Sequence, residues 1–154
     1  MDKKWTTFLT VMIITLSISS VTFAQDKSPM CPQDGCTKIT LTIEGKDYPA
    51  ILYANMTARD LISRLPLTLS LNRGGRDYCG DISPLQYDRQ QVQQGYRNGE
   101  LAYWVPGQDF VIFLEKEETG ARVDGVVVIG KMSVNLLSLF NLGNSIEVSI
   151  SLAE

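Results

Sequence analysis

From Thr37 onward apolar and polar residues alternate in short runs punctuated by turn residues. Ile39, Leu41 and Ile43 fall on one side and Thr40, Thr42 and Glu44 on the other, which predicts a half-buried strand. Gly45-Lys46-Asp47 predicts a turn into a second strand, Tyr48 to Tyr53. Pro49 belongs at an end or edge of that strand, because proline has no N–H to give a ladder. Thr57 followed by Asp60 fits an N-cap with an acid at the third helical position, and Leu61, Ile62 and Leu65 form the apolar stripe of a short helix that Pro66 ends. Leu67, Leu69 and Leu71 then alternate with Thr68 and Ser70 as a strand running into the loop Arg73-Gly74-Gly75-Arg76.

Residues 77–98 lack a regular period and read as a long surface loop; loops of that length are often functional. After them, Gly99 to Phe113 carries two runs of β-branched and aromatic residues on either side of Pro106-Gly107, a hairpin. Its alternation puts Leu101, Tyr103 and Val105 on one face and Ala102 and Trp104 on the other. Val126 to Lys131 suits a strand buried on both faces, and Val134 to Phe140 has helical spacing. Ile146, Val148, Ile150 and Leu152 make a final strand that can pair with the first and close a barrel.

Length and composition leave room for one core: 154 residues, 44% hydrophobic. The net charge of −3 and the lack of any Lys/Arg block argue against nucleic acid as a partner. Lys3 and Lys4, the apolar run from Phe8 to Val21 and Thr22-Phe23-Ala24 have the grammar of a secretory signal cleaved after Ala24. The expected organisation is a signal peptide over 1–24, a tail over 25–36 and the folded domain over 37–154, with no stable membrane anchor after cleavage and a periplasmic or secreted product. In an oxidising compartment the cysteines can pair. Cys31 and Cys36 close a small loop containing Gly35, and pairing of Cys79 with either of them stays open. With no histidine in the chain, imidazole bases, imidazole metal ligands and histidine-assisted nucleophiles are excluded, and no metal or cofactor is expected. Glu115, Glu117 and Glu118 provide carboxylates of the kind a glycosidase uses. Beside Lys116, Thr119 and Gly120, however, they read as a solvated charged loop.

Three segments carry a resemblance: Thr57-Ala-Arg-Asp-Leu-Ile-Ser-Arg-Leu-Pro-Leu-Thr-Leu69, the Gly99–Phe113 hairpin, and Val127-Val-Ile-Gly-Lys-Met132. Their order resembles the small bacterial cyclophilin-like proteins over roughly Ile39 to Leu152, with Gly99-Glu-Leu-Ala-Tyr-Trp104 in place of the typical Gly-Asp-Ile-Ala-Tyr-Tyr. The resemblance implies a mainly β fold, a closed barrel with two short capping helices. It also implies a candidate activity, prolyl isomerisation by an arginine beside an apolar proline pocket. The isomerase strand Phe-His-Arg aligns with Leu67 to Leu71, which has no arginine, and Gln-Phe-Phe-Ile stands here as Asp109-Phe-Val-Ile112. Arg73 and Arg76, from the following loop, are the remaining candidates for a catalytic cation.

Three functions are therefore expected to compete. The first is a module binding a peptide or small ligand through Tyr103, Trp104, Phe110 and Phe113. The second is an isomerase with a non-standard site, and the third an accessory exported protein without a ligand.

Overall fold

The computed structural model describes residues 35–117 and 123–154, all within the unit Cys31–Glu154. The signal-peptide and Cys31 readings, and Glu118, lie outside the described residues. Eight strands appear among those described: β1 (Thr37–Ile43), β2 (Lys46–Leu52), β3 (Leu67–Arg73), β4 (Asp77–Asp81), β5 (Glu100–Trp104), β6 (Asp109–Phe113), β7 (Val126–Met132) and β8 (Ser145–Leu152). They close into an antiparallel barrel in the order β1-β2-β7-β5-β6-β4-β3-β8. The closure is the expected one, with Leu41 opposite Ile150 and Ile43 opposite Val148. Helices α1 (Met56–Ser63) and α2 (Leu137–Phe140) complete the fold.

The alternation in β1 and β8 is realised as expected, with Ile39, Leu41, Ile43, Ile146, Val148 and Ile150 all buried in the barrel. The first turn is tighter than the sequence suggests. Glu44 (φ 50°) and Gly45 (φ 76°) make it alone, and β2 already begins at Lys46. Both central residues at positive φ match the twist of the flanking strands. Pro49 lies in the middle of β2, opposite Thr40 of β1, and not at a strand end; it is tolerated because the pairing of β2 with β7 begins only one residue later at Ala50–Met132. Its carbonyl accepts from Ser133 N at 2.9 Å.

Two other expectations are corrected. The cap of α1 is Asn55, whose side chain accepts from Ala58 N at 2.8 Å; Thr57 is inside the helix and buried. Asp60 faces outward and pairs with Arg64 at 2.8 Å, while accepting from Gln86 N at 2.7 Å. The supposed loop 77–98 contains β4, a short 3-10 turn at Arg89–Gln91 and buried Ile82, Leu85 and Tyr96. It lies against the barrel because Arg64 donates to the carbonyls of Ser83 and Pro84 at 2.9 and 2.8 Å. The helix expected over 134–140 shrinks to the single turn α2.

Packing forms two apolar clusters on opposite sides of the β4-β6-β5-β7 wall. Tyr78, Leu101, Tyr103, Phe110, Ile112 and Ile129 point into the barrel. Ala102, Val111, Phe113 and Val126 point out of it and are covered by Tyr96, with Cys79, Trp104, Val123 and Val128 partly buried around them. An outer sheet face this apolar is unusual where only solvent covers it.

Candidate functional site

The outward face of that wall can be read row by row from the strand register. Asp81 of β4 stands opposite Asp109 of β6, which stands opposite Trp104 of β5. The next row runs Cys79, Val111, Ala102, and beyond it Asp77 faces Phe113. Strand register therefore sets Asp81 and Asp109 beside Trp104 in the row at one end of the wall, an apolar row in the middle, and Asp77 beside Phe113 at the other end.

The four aromatic candidates separate accordingly. Tyr103 and Phe110 belong to the interior: Phe110 is wholly buried, and the Tyr103 hydroxyl accepts from Leu85 N at 3.4 Å beside the Tyr87 ring. Neither reaches a ligand on the outer face. Trp104 and Phe113 are outside. Phe113 is stacked on Tyr96 with ring centroids 3.8 Å apart, and Trp104 is half-buried with Nε1 donating to Asp124 O at 2.8 Å. The hairpin turn locks the indole from above, because any side chain at Gly107 would overlap the Trp104 ring and the Asp109 carboxylate. A large aromatic held in one orientation costs little further ordering on contact with a ligand.

A recess of about 190 Å³ opens beside this indole, lined by Trp104, Val111, Phe113 and Val123 with Arg76, Asp77 and Cys79 at its polar end. A wider groove of about 510 Å³ adjoins it across Cys79, lined by Thr68, Ser70 and Asn72 of β3, Asp81 of β4 and Asp109 of β6. Cys79 belongs to both, so the two form one bipartite outer site, apolar at one end and acidic at the other. Its thiol is not in a disulfide.

The two arginine candidates also part company. Arg76 lines the recess. Arg73 is built into the fold: its guanidinium lies 5.1 Å from the Tyr78 ring centroid and 5.5 Å from that of Phe140, and donates to the Tyr78 hydroxyl at 3.4 Å. It also approaches Glu115 at 4.0 Å. A guanidinium held between two rings and a carboxylate fastens α2 to the barrel. Glu115 and Glu117 remain apart from the site, with Glu117 accepting from Asn98 N and Glu115 facing Arg73.

Electrostatics single out the acidic end. Burial pushes the Asp109 carboxyl above its ordinary range, and the hydrogen-bonded Asp81 carboxylate beside it and Asp77 push the same way. Burial likewise raises Asp77, against the pull of Arg76 and Arg73. The Cys79 thiol is pushed up to about 11, first by burial and then by the surrounding carboxylates. A thiol so protonated is a poor nucleophile. Among the described residues no group of three His, Cys, Asp or Glu side chains converges as a metal site.

Asp81, Asp109 and Cys79 were not among the residues expected to contact a ligand. Their signal was the alternation Asp77, Cys79, Asp81 against Tyr78 and Gly80, half of a strand pattern in which glycine replaces one apolar residue.

A family model described as the cyclophilin-like family matches residues 41–151. No curated protein matches the chain. Among solved structures, the solution structure of a hypothetical protein from Archaeoglobus fulgidus is similar, with a TM-score of 0.59 and 21% identity over 79% of this chain and 99% of that one. At that identity the likeness carries the fold alone.

Proposed function

The chain belongs to the cyclophilin-like family, and from that premise we propose that it is a binding module whose outer barrel face takes a peptide or small ligand. The observation that carries this reading is the recess beside Trp104, an apolar hollow on a rigid sheet with polar groups at one end. Ligand sites combine these features: apolar walls for affinity, a few fixed polar groups for orientation. Fluorescence anisotropy of labelled, terminally blocked hexapeptides containing leucine or proline tests it. Saturable binding that weakens at least tenfold in Trp104→Ala, with Trp104→Phe intermediate, is expected. No binding of any peptide overturns the peptide reading.

One observation favours a second reading, prolyl isomerisation: Arg76 lines the same recess as Val111 and Phe113, an arginine beside an apolar pocket. Rotation of an X-Pro bond takes tens of seconds or longer uncatalysed, so even modest acceleration registers in a chromogenic X-Pro tetrapeptide assay. Catalysis lost in Arg76→Ala supports it, and no rate above background at high protein concentration overturns it.

The location we propose is periplasmic or secreted, supported by the charged, apolar and small-residue segments of residues 1–24. In that compartment we propose that Cys31 and Cys36 pair, a reading supported by the small loop containing Gly35 that they would close.

A further inference from the structure

We infer that the ligand of the outer face is an extended cationic peptide, which seats an apolar side chain in the Trp104 recess and a lysine or arginine in the groove over Asp81 and Asp109. This rests on the binding reading above and specifies its ligand.

The first ground is charge. Asp81 and Asp109 are directly opposed across β4 and β6. Like charges in that position destabilise a sheet. Burial, and after it the Asp81 carboxylate, push the Asp109 carboxyl above its ordinary range. Among the described residues neither forms an ion pair, unlike Asp60 with Arg64 or Glu115 with Arg73. Asp77, by contrast, has Arg76 and Arg73 nearby. Two opposed carboxyls within a groove of about 510 Å³ are complementary to a cation that the described residues do not supply. Violations of local rules of this kind belong at functional sites.

The second ground is continuity. Cys79 borders both the recess and the groove. Trp104 and Asp81 flank Asp109 in one cross-strand row. Neighbouring strands lie about 4.8 Å apart and an extended chain advances about 3.3 Å per residue, so a side chain in the recess and one over the carboxyls fall about two or three residues apart.

The third ground is the main chain of β3. Its ladder with β4 holds only two residue pairs, Asn72–Cys79 and Arg73–Tyr78. Arg73 N donates toward β8, to Asn144 O at 2.7 Å, so by the period of two the main-chain groups of Thr68 face the β4 side beyond the end of that ladder, whereas the Ser70 carbonyl, on the same side, is packed against Gly80. Both residues line the groove. An extended peptide is the occupant that uses such groups, and a small free cation is not.

Three fluorescein-labelled blocked hexapeptides, identical except for lysine, glutamine or glutamate two residues after a leucine, test this by anisotropy on the full chain. The lysine peptide is expected to bind about tenfold more tightly than the glutamine one, and the glutamate peptide more weakly than both. Raising salt to half molar narrows the lysine–glutamine gap, a measurement that needs no variant. In Asp81→Asn/Asp109→Asn the gap closes. Equal binding of all three, or a gap that survives the double variant, overturns the cationic preference while leaving the binding module intact. Competition by N-acetyl-lysine amide as strong as by the whole peptide overturns the extended-peptide part. No binding of any of the three overturns the peptide-binding reading on which this rests.

Discussion

Two residues of the site wall show how much hangs on single atoms. A methyl group on Gly80 would overlap the carbonyl oxygen of Ser70 and press on Leu71, because β3 and β4 approach most closely there. Backbone cannot swing aside as a flexible side chain can. Gly80→Ala is therefore expected to cost about 2 kcal/mol, the scale of an overpacked core, measured by urea unfolding; a loss below a few tenths would mean that β3 gives way. Cys79 presents the opposite case, a residue with space but without reactivity. With its thiol pushed up to about 11 by burial and its carboxylate neighbours, native protein should react with a disulfide reagent far more slowly than unfolded protein at pH 8, and the native rate should still climb above pH 9. The same titration counts thiols. One per unfolded chain agrees with a Cys31–Cys36 bond, and three refute it.

At the scale of elements, α1 shows why a cap motif in sequence misplaces a helix start. Thr57 and Asp60 have the spacing of a capping box, yet Asn55 competes for the same role and wins through tertiary contact. Its side-chain amide also donates to Val128 O of β7 at 2.9 Å, tying the helix start to the barrel. The Thr57 hydroxyl is left buried without a partner. Asn55→Ala should then cost at least about 1 kcal/mol, as loss of an N-cap does. Thr57→Val should cost nothing or stabilise, since it removes an unsatisfied polar atom. Thermal melts of the two variants check this, and the reverse order would restore Thr57 as the cap. β4 shows a related effect. Asp77 and Asp81 made its segment look like loop, but the strand is held by five register pairs with β6, a non-local contact that no local pattern reports.

For the whole molecule the carboxyls predict the pH dependence of stability. Asp77, Asp109 and Glu100 all titrate above their ordinary values, each chiefly through burial. Groups whose folded pKa exceeds the unfolded one contribute stability that is present below the unfolded pKa and lost as pH rises through the folded one. Asp60 acts oppositely, held low first by the Gln86 N–H, so its contribution is present above its unfolded pKa and fades as pH falls. With three groups against one, stability should fall between mildly acidic and neutral pH. Asp109→Asn should raise the melting temperature at pH 7 and lose that advantage as pH drops through the carboxylate range; a variant no more stable than the parent at pH 7 would contradict the argument. Much of this architecture could be read from residues alone. Alternation in Thr37–Ile43 and Ser145–Leu152 determined that both are strands with one buried face, and the hairpin fell where its β-branched and aromatic runs put it, because side-chain period is a local property of the chain. Trp104 and Phe113 could be named as candidates from the same hairpin, and Arg76 from the family resemblance. Only the tertiary structure separated them from Tyr103, Phe110 and Arg73, and only it set Asp81 against Asp109 beside the Trp104 recess. Which face of a strand becomes the inside of a barrel, and which residues of distant strands stand opposite one another, follow from closure and register, and those are decided by contacts between segments far apart in sequence.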